Sequence, residues 1–178
     1  CGCSLLVVVG ATLLNKLNNT MTQALWKLSA TQVASSIAHR EVSARQVTES
    51  VLARIEDINP SINALAKVNA VSALKAADDA DAAQARGESL GILHGVPVTI
   101  KVNVDVAGEA TTDGVEAFKD NMATSDSPLV QSMREAGAII VGRSNAPAFS
   151  LRWFTDNSFH GRTLNPFDPG VTPGGSSG

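Results

Sequence analysis

The sequence has no tyrosine, only two cysteines, and few aromatic residues, which make up 4% of its 178 residues. Cys1 and Cys3 are one residue apart, so a disulfide framework is excluded and a reducing compartment, the cytoplasm, is expected. Lysine and arginine number 14 against 17 acidic residues and form no cluster, which argues against nucleic acid or a membrane surface as a partner. The 44% of hydrophobic residues is typical of a globular domain that buries a core.

The longest apolar run lies at residues 4–14 and is too short to span a bilayer, which takes about 20 residues. A secretory signal is the alternative, but a basic segment before the run and a clear cleavage site after it are lacking. We therefore expect residues 1–20 to be leader or read-through sequence outside the fold. One domain would then extend from Met21 to Gly178.

Two serine–glutamine pairs mark the starts of the first two helices. Ser29 with Gln32 and Ser43 with Gln46 have the spacing of a capping box, and apolar residues follow each pair at helical intervals. Pro60 is predicted to end the second helix, because proline lacks the amide hydrogen that a helix interior needs.

An alanine-rich third helix is predicted over 71–86, with Gly87 as its stop. Three aspartates lie together on it (Asp78, Asp79 and Asp81) and are interpreted as a solvated helix face rather than a metal site. A short strand is weakly indicated over 61–68, where the sequence partly alternates.

A β-α-β unit is predicted from residue 96 onwards. Residues 96–102 are rich in β-formers, 127–136 form a helix capped by Ser127, and 138–142 form a short buried strand. A helix between two β-rich segments favours an α/β fold. Residues 145–153 are predicted to start another helix with Pro147 in its first turn, and the remainder favours loops.

Lys101 lies inside the apolar strand, between Ile100 and Val102. A lysine at a strand end usually points to solvent, and that is one interpretation. The other is a buried lysine, whose charged form is disfavoured and which is then available as a general base. The strand pattern alone leaves both open.

The chain ends on TPGGSSG, in which residues 174–178 fit the G-x-S-x-G pattern of a nucleophile elbow. That elbow needs a strand directly before its serine and a histidine later in the chain, and neither is present. A phosphate-binding loop would need a lysine directly after the glycines, which is also missing. A flexible tail remains compatible with the composition alone.

Three segments together resemble the amidase signature family of serine hydrolases: GILHGVPVTIKVN, AGAIIVGRSNAPAFS and TDNSFHGRTLNPFDPGVTPGGSSG. The resemblance covers about Met21 to Gly178. It implies the N-terminal part of an α/β domain with a mixed central sheet flanked by helices, incomplete at the C-terminus. It also implies a Ser–cisSer–Lys triad in which Lys101 is the lysine and Ser176 the serine after a cis peptide bond. Ser177 would support the lysine, and the nucleophilic serine would lie beyond Gly178.

The function implied by the resemblance is hydrolysis of a small carboxylic amide to an acid and ammonia or an amine. Neither a metal nor a cofactor is implied, and a homo-oligomer is possible. One alternative is a glutamine amidase that forms part of a transamidation complex, as its amidotransferase A subunit. Another is a fragment without catalytic activity.

The chemistry of these residues is consistent with those roles. A serine hydroxyl needs a base within hydrogen-bond reach, and an uncharged lysine serves only if it is buried and has no carboxylate partner. Asp105 is the nearby acid, and a pair between Asp105 and Lys101 would keep the lysine charged.

The sequence departs from the family in two places: Ala148 replaces an acidic residue of many members, and Val102–Asn103 replaces an aspartate–asparagine pair. Both leave the shape of the substrate pocket open. Phe149, Trp153 and Phe154 either line that pocket or belong to the core, and His94 and His160 are expected to be structural.

Overall fold

A computed structural model describes residues 25–177 of the chain, and a three-stranded sheet lies at its centre. The strands are β1 (Leu65–Val68), β2 (Pro97–Lys101) and β3 (Ile139–Ser144), in the order β1-β3-β2. β2 runs parallel to β3, whereas β1 is antiparallel to it. The predicted α/β class with a mixed sheet is therefore confirmed. The prediction for residues 1–20 lies outside the described residues.

The helices are α1 (Ala30–Ala38), α2 (Ala44–Ile62), α3 (Ala70–Ala85) and α4 (Pro128–Glu135). Both predicted capping boxes are present. The Ser29 hydroxyl accepts from the Gln32 amide at 3.2 Å, and the Gln32 side chain accepts from the Ser29 amide at 2.8 Å. Ser43 and Gln46 repeat this arrangement at the start of α2.

The prediction that Pro60 ends the second helix is wrong, because α2 continues to Ile62. Pro60 falls in the last turn, where its missing amide hydrogen removes a single bond. The helix instead ends at Asn63, which adopts a left-handed conformation with φ of 51° and donates its amide to the Asn59 carbonyl at 2.7 Å. The strand expected over 61–68 consequently begins only at Leu65.

The aspartates of α3 have identifiable partners. Asp81 accepts from the amides of Ala44 and Arg45 at 2.7 and 3.0 Å, so it caps the start of α2 from another helix. Asp78 pairs with Arg45, and Asp79 pairs with Lys75 on the surface.

The sheet separates two apolar clusters. Ile139 and Val141 of β3 face the cluster formed with α1, α2 and α3, whereas Ile140 packs with Ile100 and Val130 on the side of α4. This alternation follows from the period of two along a strand. α4 is the crossover between the parallel strands β2 and β3, so the predicted β-α-β unit is confirmed.

The helix expected over 145–153 is wrong. Only a single 3₁₀ turn forms, at Ala148–Ser150, and Pro147 precedes it in an extended conformation. Phe149 and Ser150 have positive φ values of 54° and 55°, which an α-helix does not accommodate. From residue 151 to 177 no helix or strand is found, as the turn-rich composition predicts.

The end of α2 anchors the long loop that follows β3. The Asn63 side chain donates a hydrogen bond to the His160 carbonyl at 2.7 Å, and the Thr163 hydroxyl donates one to the Asn63 carbonyl at 2.7 Å. The amide of Leu164 bonds to the Ile62 carbonyl. None of the helices in residues 25–177 has the length and apolar character needed to cross a bilayer.

Candidate active site

Lys101 is the last residue of β2 and pairs with Ser144 at the end of β3. The carboxyl ends of parallel strands are where α/β folds place their ligands. The buried guanidinium of Arg143 holds the backbone here, donating to the carbonyls of Lys101 and Val104 at 3.2 and 2.6 Å. Arg143 also pairs with Glu109 at 3.4 Å, which offsets its buried charge.

Lys101 and Ser176 meet in the structure although 75 positions separate them in sequence. The Lys101 ammonium donates to the Ser176 hydroxyl oxygen at 2.8 Å. The peptide bond between Gly175 and Ser176 is cis, at the position that the family resemblance indicates. The structure thus brings two of the three expected site residues together, and their catalytic roles stay predictions.

The turn that carries Ser176 lies directly against residues 152–154. A methyl group on Gly175 would come within 2.7 Å of the Phe154 amide nitrogen and 2.8 Å of the Arg152 carbonyl oxygen. Thr155 donates its hydroxyl to the Gly174 carbonyl at 3.3 Å. Only glycine permits this backbone approach at position 175, which explains one of the terminal glycines.

The sequence left open whether Lys101 points to solvent or is buried, and its environment in the structure lies between these two cases. The side chain is half-buried. Burial lowers the pKa of the Lys101 ammonium, and the Asp113 carboxylate partly opposes this effect. The lysines that form ion pairs within residues 25–177 are Lys67 and Lys75, and Lys101 is not among them.

The acid that sequence reasoning singled out is not the partner of Lys101. Asp105 instead accepts a hydroxyl hydrogen bond from Thr111 at 2.5 Å. Sequence reasoning missed Asp113, which follows Thr112 in an ATTDG segment that resembles an ordinary turn. Its position near Lys101 depends on how that loop folds back onto β2, which local patterning does not reveal.

Ser177 is exposed, and its supporting role toward Lys101 stays a prediction. The core interpretation of the aromatic residues is wrong, since Phe149, Trp153 and Phe154 are 51%, 88% and 41% exposed. Phe149 contacts Phe118 edge to face, with ring centroids 5.9 Å apart.

The histidines have local partners within the fold. His94 lies 3.1 Å from the Ala80 carbonyl through its Nε2, and His160 lies 2.8 Å from the Thr112 hydroxyl through its Nε2. Burial lowers the pKa of His160. Within residues 25–177 no group of histidine, cysteine and acidic side chains is arranged to hold a metal ion.

Comparison with known proteins identifies the family. The Amidase family model matches residues 46–178, and the solved structures similar to this chain include a bacterial aryl acylamidase of the amidase signature family. That structure is 30% identical, has a TM-score of 0.81, and is matched over 84% of this chain and 31% of its own length. The chain therefore belongs to the amidase signature family.

Curated relatives extend the comparison. The chain is 49% identical over 153 residues to an indoleacetamide hydrolase of Bradyrhizobium diazoefficiens, covering 86% of this chain and 29% of that protein. It is 39% identical to an acylamidase of Rhodococcus erythropolis, covering 87% and 32%. The A subunit of a glutamyl-tRNA(Gln) amidotransferase from Acidothermus cellulolyticus is 41% identical, with 84% and 30% covered. The chain thus spans about three tenths of the length of these relatives.

Proposed function

We propose that this chain is the N-terminal part of an amidase domain that hydrolyses a small carboxylic amide to an acid and ammonia or an amine. Lys101 is the base and Ser176 the proton relay of a Ser–cisSer–Lys triad, and the nucleophilic serine belongs to a later part of the domain. The relatives named as an indoleacetamide hydrolase and an acylamidase support this proposal. No metal or cofactor has a role in it.

The observation that carries the proposal is the 2.8 Å contact between Lys101 and Ser176. With the lysine uncharged, Ser176 donates its hydroxyl proton to the amine and accepts the proton of the nucleophilic hydroxyl. The attacking oxygen forms the bond to the amide carbon, and the departing amine takes the proton back as the carbon–nitrogen bond breaks. Water then releases the acid by the same route in reverse. Burial favours the uncharged amine that the first step needs.

The test uses a protein that contains this chain within a whole family domain. Lys101→Met keeps the length of the side chain but removes the amine, and should reduce kcat/KM by about 100-fold or more, the usual contribution of a general base. Lys119→Met is the matched control, because Lys119 is exposed. Ammonia release would be measured alongside thermal unfolding. Near-normal turnover by a folded Lys101→Met variant would show that Lys101 is not the base.

An aromatic amide is the first substrate to test. Phe149, Trp153 and Phe154 are exposed. The backbone of the last two lies against Gly175, and the Phe149 amide bonds to the Asp113 carbonyl. Such side chains suit the apolar body of an arylacetamide or anilide. Acetamide would serve as the comparison substrate, and a preference for it over an arylacetamide would argue against this substrate class.

A glutamine amidase within a transamidation complex is the second candidate. The 41% identity to an amidotransferase A subunit favours it. Release of ammonia from glutamine that depends on a second, co-purifying protein would support it. Turnover of simple amides by the isolated domain would favour the free amidase.

A further inference from the structure

Asp113 lies on the loop after β2 and is fixed from both sides. Its amide donates to the carbonyl of Val102, the residue that follows Lys101, at 3.2 Å. Its own carbonyl accepts from the Phe149 amide at 2.9 Å. Asp113 therefore connects the end of β2 with the turn at Ala148–Ser150.

The residues beside Asp113 leave this loop little freedom. Thr112 is held by His160, and a methyl group on Gly114 would come within 2.7 Å of the Ala146 carbonyl oxygen. Asp113 itself has a positive φ of 49°, a conformation that side chains other than glycine, asparagine and aspartate rarely adopt. Residues held in such conformations concentrate at functional sites.

The side chain of Asp113 has an unusual environment for a carboxylate. Its Oδ1 atom is buried and has no hydrogen-bond partner among the described residues. A buried unpaired carboxylate oxygen is costly unless a nearby positive charge compensates for it. Lys101 supplies that charge, since it precedes Val102, to whose carbonyl the Asp113 amide is bonded at the end of β2.

The other charged groups around the two residues have partners of their own. Arg143 lies beneath Lys101 and pairs with Glu109. Asp105 accepts a hydrogen bond from Thr111, and the His160 ring lies within hydrogen-bond distance of the Thr112 hydroxyl. Burial raises the pKa of the Asp113 carboxyl, and the Lys101 charge and the Ser150 hydroxyl partly oppose this effect. Lys101 and Asp113 are thus the two charged groups at this end of β2 that act on each other's pKa.

We propose that Asp113 is a positioning residue that sets the pH at which the Lys101 amine becomes available as a base. The proposal rests on the function proposed above. Asp113 acts through Lys101 in this proposal. As long as its carboxylate is ionised it stabilises the lysine proton, so the amine becomes free at a higher pH than burial alone would give.

The test uses a protein that contains this chain within a whole family domain, and measures how readily each lysine is acetylated as the pH is raised. Trace acetic anhydride and peptide mass spectrometry give a separate midpoint for Lys101, with exposed Lys75 and Lys119 as internal references. Asp113→Asn should move the Lys101 midpoint to lower pH and leave the references unchanged. Asp105→Asn, which removes a neighbouring charge engaged elsewhere, should leave all three unchanged, and Asp113→Glu should keep the Lys101 midpoint near its original value.

Two outcomes separate this inference from the proposed function. A Lys101 midpoint in the unaltered chain that is not below that of Lys119 would count against Lys101 as the base, whereas Lys75 pairs with Asp79, which raises its pKa. An unmoved Lys101 midpoint in folded Asp113→Asn would overturn the role of Asp113 alone.

If Asp113→Asn does not fold, the reciprocal experiment decides. Carboxyl-carbon NMR of Lys101→Met should then show the Asp113 midpoint at higher pH than in the unaltered chain, because coupling acts equally in both directions. An Asp113 midpoint that stays in place would overturn the inference.

Discussion

Replacing Gly175 by alanine tests whether the contact with residues 152–154 holds Ser176 in position. The added methyl group would lie 2.7 Å from the Phe154 nitrogen, whereas ordinary contact begins at 3.4 Å. The two backbones would therefore have to separate by 0.7 Å, the difference between these distances. A movement of that size along the Lys101–Ser176 bond would lengthen it from 2.8 to 3.5 Å, at the limit of a hydrogen bond.

Gly175→Ala should lower both the stability and the activity of the protein. Overpacking against backbone typically costs about 1–3 kcal/mol. Since about 1 kcal/mol corresponds to about 2–4 °C for a chain of this size, the Tm should fall by about 2–12 °C. In a whole amidase domain kcat should fall more strongly, because the proposed proton route passes through Ser176.

The measurement combines a thermal melt with kcat, and Gly108→Ala is the control. A methyl group on Gly108 would meet nothing within 4 Å, but the φ of 76° carries its own conformational cost. Gly108→Ala should therefore lower the Tm modestly and leave kcat unchanged. If Gly175→Ala kept both the Tm and kcat of the unaltered protein, the reasoning about this contact would be refuted.

Two further predictions concern stability. Ser43→Ala removes the hydroxyl that accepts from the Gln46 amide and should cost about 1 kcal/mol, visible as a Tm lower by about 2–4 °C, whereas Ser43→Asp should retain most of the stability. His160 has a pKa below its ordinary value of 6.5 in the folded chain, so the unfolded chain binds more protons as the pH falls below that value. Denaturant unfolding should therefore show a smaller loss of stability between pH 7 and pH 5 in His160→Gln than in the unaltered chain, and equal losses would contradict the assignment.

The parts of the fold that local chemistry determines were predictable. Capping boxes, the glycine after α3 and the apolar run of β3 each depend on neighbouring residues, and they gave the helix starts and the β-α-β unit. The end of α2 was not predictable in this way, because proline in a last turn costs little and Asn63 ends the helix through its own conformation. The missing helix at 145–153 has a similar cause, since Phe149 and Ser150 take left-handed conformations that their residue types do not indicate.

In the candidate site, too, some residues could be predicted from the sequence and others could not. Lys101 and Ser176 could be selected because their segments resemble a known family, and the structure places them in contact. The choice of Asp105 as the relevant acid followed from proximity in sequence. Asp113 acts on Lys101 instead, because a loop anchored to Val102 and Phe149 returns it to the end of β2.

The bonds from Asn63 to residues 160 and 163 join positions that lie 97 and 100 residues apart. Closing so long a stretch of chain is entropically costly before other contacts exist, and distant pairings form slowly. The segment from 151 to 177 has no helix or strand of its own to assemble earlier. We therefore expect the Ser176 hydroxyl to reach the Lys101 amine late in folding, after the end of α2 has formed and bonded to the loop.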